Sequence, residues 1–101
     1  MSVDYSSFGL NGKVAIVTGA SQGIGCAVAL GLARAGADLI LAKHPSGRHE
    51  EIRRVEAEIL ALGRRAITII TDVSKVSDVQ AMVQKADELF GRIDILVNNA
   101  G

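Results

Sequence analysis

The sequence is poor in aromatic residues, cysteine and proline. Aromatic side chains make up 3% of its 101 residues, Trp is absent, and there is one Cys and one Pro. Any core must therefore consist of Val, Ile, Leu and Ala, and a hydrophobic content of 49% excludes a disordered chain. The lone Cys26 excludes an intramolecular disulfide framework and fits a reducing compartment, so we expect a cytoplasmic protein.

An excess of charge of either sign is also missing. Eleven Lys and Arg residues balance eleven Asp and Glu residues, which gives a formal net charge of zero. Nothing in this balance attracts the chain to nucleic acid or to an anionic membrane. We therefore expect neither of them among its partners.

One uncharged run, residues 14–33, is long enough to span a bilayer. However, glycine and polar residues interrupt it at 18–23, and residues 1–6 lack the basic residues that begin a signal peptide. The run is better interpreted as a buried strand, a tight turn and a buried helix.

The rest of the chain alternates in the same way. Short apolar runs predict strands at 14–17, 39–42, 66–71 and 93–97. Helical spacing predicts three helices: one at 24–35, a second that follows the 44–47 loop and ends at Gly63, with apolar residues at 52, 55, 59 and 62, and a third with apolar residues from 76 to 90 that ends at Gly91. Ser46 and Ser74 are the candidate N-caps of the second and third helices. In the first helix, Gly23, Ala27 and Gly31 predict a face that is nearly bare of side chains and can approach a sheet.

This βαβαβαβ order predicts a single α/β domain over residues 1–101, the amino-terminal part of a Rossmann-type doubly wound parallel sheet. The connections are short, and the chain contains no repeats or low-complexity tracts. Ligands of such sheets bind at the carboxyl ends of the strands, so the residues that follow each strand are the candidate site.

The segment 18–25, Thr-Gly-Ala-Ser-Gln-Gly-Ile-Gly, lies between the first strand and the first helix. Gly19 permits a tight turn, while Gly23 and Gly25 leave room for a pyrophosphate to approach the backbone. The start of the helix adds unpaired N–H groups and a partial positive charge. The alternative is a glycine-rich turn that serves only close packing.

Two further segments follow strands. Asp72 and Val73 follow the third strand, where the carboxylate can accept a hydrogen bond from an adenine amino group; alternatively, Asp72 only helps to start the next helix. The residues 98–101, Asn-Asn-Ala-Gly, follow the fourth strand, where two amides can tie strand ends together and small residues leave room for a ribose. Their alternative interpretation is an ordinary turn.

Together these segments resemble the short-chain dehydrogenase/reductase family, and the lead-in at 10–15 is similar to the family's first strand. The similarity is greatest to its 3-oxoacyl-carrier-protein reductase and sugar-dehydrogenase-like branch. The resemblance implies strand order 3-2-1-4 and an NAD(P)-dependent oxidoreductase that acts on a small-molecule alcohol/carbonyl pair, as a homo-tetramer or homo-dimer. It implies that Asn98 is structural. It implies no metal site, and a set of residues that bind the cofactor. The pyrophosphate is expected at Gly19, Ser21, Gln22, Gly23, Ile24 and Gly25. The adenine is expected at Asp72 and Val73, and the ribose at Asn99, Ala100 and Gly101.

The position that meets the cofactor's 2′ group departs from the NAD-binding pattern. Relatives that prefer NAD have an acid at the end of the second strand, whereas this chain has Lys43, followed by His44, with Arg48 nearby. A cation there favours a 2′-phosphate, so we expect NADP rather than NAD. Relatives that prefer NADP often carry Arg where this chain has Gln22, and Lys43 and Arg48 can also be read as solvated loop charges.

The family's catalytic Asn, Ser, Tyr and Lys follow the Asn-Asn-Ala-Gly motif, so no catalytic residue is assigned within 1–101. We expect this segment to be the cofactor-binding part of a longer or completed enzyme, with the fourth strand as a bare hydrophobic edge. The alternative from another class is a non-catalytic nucleotide-binding or interaction module. A methyltransferase-like fold is disfavoured because the acid after the second strand is missing.

Overall fold

Residues 9–20 and 23–99 are described by a computed structural model, and they alternate between strands and helices as the sequence predicts. The strands are β1 (Val14–Thr18), β2 (Asp38–Lys43), β3 (Ala66–Ile70) and β4 (Ile95–Asn98). The helices are α1 (Gly23–Arg34), α2 (Glu50–Ala61) and α3 (Val76–Phe90). No helix in these ranges is both long and apolar enough to cross a membrane.

The four strands form one parallel sheet in the order β3-β2-β1-β4, which confirms the Rossmann-type prediction. β1 is buried along its whole length because it has a strand on each side and helices on both faces. Its continuous apolar sequence is typical of such a central parallel strand.

Alternating side chains divide the core into two layers. On one face of the sheet, Leu39 and Leu41 pack with residues of α1 and α2. On the other face, Ile40 and Ala42 pack with Met82 of α3. The period of two along β2 therefore sends successive side chains to different helices, as a sheet covered on both sides requires.

The prediction for the inner face of α1 was wrong. Three small residues of this helix are buried: Gly25, Ala29 and Ala33. The predicted face of Gly23, Ala27 and Gly31 is two residues out of phase, so that Ala27 is exposed and Gly31 has open space beside it. Both sets recur every four residues, and small residues on several sides of this helix give little contrast between them.

The two predicted N-caps were also wrong. α2 begins after His49 and α3 begins after Lys75, neither of which makes a side-chain capping hydrogen bond. The Ser74 hydroxyl instead donates to Asp72 Oδ1 at 2.6 Å. At its other end α3 stops at Gly91, whose left-handed φ of 75° ends the helix as predicted.

β4 begins at Ile95 rather than at residue 93, and Asp94, just before it, bonds to the start of β1. One carboxylate oxygen of Asp94 accepts the Val14 N–H at 2.9 Å, and both oxygens accept from the Arg92 guanidinium at 2.7 and 2.8 Å. The hydrogen bonds from Arg92, followed by the one from Val14, hold the pKa of Asp94 below its ordinary value. Asp94 thus fixes the start of β1 against the start of β4.

Candidate functional site

The carboxyl ends of the strands meet at one edge of the sheet. Thr18, the last residue of β1, is in register with Ala42 on one side and Asn98 on the other. A cleft of about 110 Å³ opens at this edge. Its lining comes from the ends of β1, β2 and β3: Thr18, Gly19, Ala42, Lys43, His44, Thr71 and Val73.

Three glycines of the 18–25 segment have distinct roles. Gly19 and Gly23 adopt φ values of 66° and 62°, which bend the chain between β1 and α1. Gly25 is needed for space: a Cβ on it would overlap the Gly19 carbonyl group and lie 2.8 Å from Asn99 Nδ2. The missing side chain at Gly25 therefore lets the start of α1 pack closely against the turn after β1.

Within the described part of the chain, the first two residues of α1 are exposed. A Cβ on Gly23 would meet no atom within 4 Å, and Ile24 is 74% exposed. The first N–H groups of a helix have no partner within the helix and carry a partial positive charge. Of the predicted pyrophosphate residues, Ser21 and Gln22 lie outside the described residues.

Thr18 joins the ends of β1 and β4. Its buried hydroxyl donates to Asn98 Oδ1 at 3.0 Å and accepts the Asn99 N–H at 2.9 Å. The Asn99 side-chain amide donates to the Gly19 carbonyl at 3.4 Å. The two asparagine side chains therefore tie the strand ends together, in agreement with the structural role expected of Asn98. Ala100 and Gly101 lie outside the described residues.

Asp72 is held in place by its own loop. Its Oδ1 accepts the Ser74 hydroxyl at 2.6 Å and the Ser74 N–H at 3.0 Å, and its N–H donates to Asp78 Oδ2. These hydrogen bonds from Ser74, side chain first, keep the pKa of Asp72 below its ordinary value. The carboxylate is thus ionised and fixed beside Val73 in the cleft wall, while it also helps to shape the start of α3.

Lys43 and His44 line the same cleft from the end of β2. The His44 Nε2 is 3.9 Å from Asp72 Oδ1, across the ends of β2 and β3. Lys43 is 8% exposed, and its ammonium donates to the carbonyl groups of His44 and Ser46 at 2.8 and 2.6 Å. The interpretation of Lys43 as a solvated loop charge was therefore wrong.

Sequence reasoning missed three supporting residues. Thr18 was treated as part of the glycine motif, Ser74 as a helix cap and Ser46 as another cap. A hydroxyl two residues after an aspartate at a strand end is a recognisable signal for the Ser74 contact, because Asp commonly accepts the N–H two residues on. The partners of Thr18 are about 80 residues away in sequence, so no local pattern shows them.

A family model described as short chain dehydrogenase matches residues 13–101. The chain is 48% identical over 101 residues to the short chain dehydrogenase/reductase astE of Aspergillus oryzae, covering 99% of this chain and 38% of that protein. It is 44% identical over 96 residues to 2-dehydro-3-deoxy-D-gluconate 5-dehydrogenase of Escherichia coli, covering 95% of this chain and 36% of that one. The chain thus spans little more than a third of the length of these relatives.

Solved structures show the same similarity. Carveol dehydrogenase from Mycobacterium avium, in complex with NAD, superposes with a TM-score of 0.83 at 33% identity, over 91% of this chain and 36% of that one. A hydroxysteroid dehydrogenase from Escherichia coli superposes with a TM-score of 0.81 at 37% identity, over 91% and 38% of the two chains.

Proposed function

We infer that this chain, which belongs to the short-chain dehydrogenase family, binds NAD(P) at the carboxyl edge of its sheet. It would form the cofactor-binding part of an oxidoreductase that transfers hydride between the nicotinamide ring and an alcohol or carbonyl substrate. The observation that carries this proposal is the turn between β1 and α1, in which Gly25 packs against Gly19 and Asn99 while the first two residues of α1 are exposed.

The pyrophosphate would bind at this turn. Backbone N–H groups at a helix start hold a diphosphate without needing a cationic side chain, and no Lys or Arg lies between residues 18 and 25. The proposed pyrophosphate residues are Gly19, Ser21, Gln22, Gly23, Ile24 and Gly25. When bound, the nicotinamide ring of the cofactor accepts or donates the hydride.

The adenosine would occupy the neighbouring cleft. Asp72 is ionised and held by Ser74, so its carboxylate is ready to accept from an adenine amino group, with Val73 beside it. Asn99, with Ala100 and Gly101, would border the ribose. Because Thr18 accepts the Asn99 N–H, Asn99 would already be in position before the ribose binds.

NADP is the proposed cofactor in preference to NAD. A carboxylate at the end of β2 would accept the two hydroxyl groups of the NAD ribose, and Lys43 occupies that end instead. With no carboxylate at this position, the exposed cation of the nearby Arg48 favours a phosphate group in the same place.

The catalytic Ser, Tyr and Lys, and the choice of substrate, are assigned to parts of the protein outside residues 1–101. Exposed apolar side chains beside β4 support this proposal. Leu96 is 65% exposed, and a groove of about 460 Å³ lined in part by Val79, Val83 and Ile93 lies between α3 and the approach to β4. Further elements of a homo-dimeric or homo-tetrameric enzyme would cover this face.

Calorimetric titration of the full-length protein with NADPH and with NADH tests the proposal. We expect saturable binding of both cofactors with tighter binding of NADPH. Tighter binding of NADH would refute the preference for NADP, and binding of neither would refute the proposed function.

A further inference from the structure

The turn after β2, residues 43–47, is built around a buried cation, and we call it the β2 turn. The Lys43 ammonium has three N–H donors, and two of them bond the carbonyl groups of His44 and Ser46 at 2.8 and 2.6 Å. Burial of a charge is costly unless the charge is well hydrogen-bonded. These two carbonyls therefore hold the ammonium inside the β2 turn. The ammonium also holds the backbone of His44 close to that of Ser46.

The His44 ring is fixed by the same turn. The Ser46 N–H donates to His44 Nδ1 at 3.0 Å, and the Ser46 Oγ lies 2.7 Å from the same nitrogen. An amide can only donate, so Nδ1 is the acceptor and the proton of the neutral ring lies on Nε2. This places the Nε2 proton toward Asp72, and the ring lines the cleft.

Gly47 completes the β2 turn. Its φ of 87° lies in the left-handed region, and a Cβ there would lie 3.6 Å from Lys43 Nζ. The carbonyl of Ser46 points toward that ammonium, so the N–H of Gly47, on the other side of the same trans peptide, points away from it. The ammonium thus faces the inside of the β2 turn rather than the outside.

We propose that Lys43 is a positioning residue for the cofactor. Its ammonium holds the β2 turn, and the turn holds the His44 ring against which adenosine binds; Lys43 does not contact the 2′ group. This inference rests on the proposed function. The preference for NADP then depends on the missing carboxylate and on Arg48. NADPH and NADH share the adenosine that binds against His44. Loss of the hydrogen bonds from Lys43 is therefore expected to weaken the binding of both cofactors to a similar extent.

The test uses the full-length protein with Lys43→Met, which keeps the length of the side chain and removes its donors. We expect the Kd of NADPH and of NADH each to rise about tenfold, with their ratio changed by less than about twofold. In the cofactor-free protein, the Ser46 amide exchanges its hydrogen faster as the turn loosens, which NMR detects. Loss of NADPH affinity alone, or unchanged exchange at Ser46, would overturn the proposal.

Two further variants keep the result unambiguous. Gly47→Ala strains the β2 turn and leaves the ammonium in place, so both cofactors weaken again with their ratio preserved; unchanged affinities would overturn the proposal even if Lys43→Met does not fold. Arg54→Met removes an exposed cation of α2 and leaves both affinities as they are. If the unmodified protein binds neither cofactor, the proposed function fails, whereas the exchange of Ser46 still decides whether Lys43 holds the turn.

Discussion

Gly25 lies directly against Gly19: a Cβ on Gly25 would overlap the Gly19 carbonyl group. The same Cβ would lie 2.8 Å from Asn99 Nδ2, at the end of β4. The absence of one side chain therefore lets three segments meet, namely the turn after β1, the start of α1 and the segment after β4. This contact sets the position of the helix start at which we place the pyrophosphate.

Gly25→Ala is expected to disrupt this arrangement. The added methyl group would clash with the Gly19 backbone carbonyl, which cannot turn aside as a flexible side chain could. It therefore forces α1 away from the turn, at a cost of about 1–3 kcal/mol in the free energy of unfolding. The displaced helix start also weakens binding of NADPH. Chemical denaturation and cofactor titration measure the two effects.

Gly31→Ala is the matched control on the same helix. A Cβ at Gly31 meets no atom within 4 Å, and Ala has the higher helix propensity. We expect a gain of about 0.5–1 kcal/mol in the free energy of unfolding and no change in cofactor affinity. Equal effects of the two substitutions would contradict the role given to Gly25.

Thr18→Val is expected to separate the ends of β1 and β4. The substitution preserves the shape but removes the acceptor of the Asn99 N–H, a part-buried hydrogen bond whose loss costs about 0.5–1.5 kcal/mol. Thr18→Ser keeps the hydroxyl and should retain most of the stability and the cofactor affinity. If Val and Ser behave alike in denaturation and in titration, the hydroxyl does not hold Asn99.

Asp94 predicts a pH dependence of stability. Its carboxyl has a lowered pKa in the folded protein because of Arg92 and the Val14 N–H. The stability that ionised Asp94 contributes is therefore fully present above the ordinary pKa of an unfolded-state Asp carboxyl, and it is lost as the pH falls through the lower folded-state pKa. We expect Asp94→Asn to lower the urea midpoint at neutral pH, and the difference from the unmodified protein to shrink below about pH 4.

Asp87→Asn is the matched control for removal of one carboxylate from an exposed position of α3. A difference between Asp94→Asn and the unmodified protein that stays constant from neutral pH to about pH 2.5 would show that the charge of Asp94 is not what stabilises the fold.

Residues 1–101 produced alone are expected to self-associate. Association with a second copy would bury the exposed Leu96 on β4 and the apolar groove beside Val83. Analytical ultracentrifugation of this fragment measures its association. A monodisperse monomer that unfolds cooperatively would argue against the proposal that further elements cover this face.

The fold was largely readable from the sequence because its signals are local. Gly91 ends α3 where the pattern predicts, and the apolar strands alternate with helices whose lengths leave little choice of topology. The inner face of α1 was misassigned because small residues occur on several sides of it. The start of β4 was misplaced, and Asp94, just before it, bonds Val14, a partner 80 residues away.

The candidate site was only partly readable. Its motif residues follow the strands as expected, but their supports depend on contacts that spacing does not show. The Lys43 ammonium turns back on its own loop, whereas the sequence suggested a cation free for phosphate. Gly25 and Gly23 belong to one motif but have different roles. Gly25 lets α1 pack against the turn after β1, whereas Gly23 adopts the positive φ that bends the backbone.

A crystal structure of the full-length protein with bound NADPH tests the central claim most directly. We expect the diphosphate to accept hydrogen bonds from backbone N–H groups of residues 19–25 at the start of α1, with the adenine beside His44 and Asp72. A dinucleotide bound elsewhere, or residues 19–25 closed against the protein with no phosphate beside them, would contradict it.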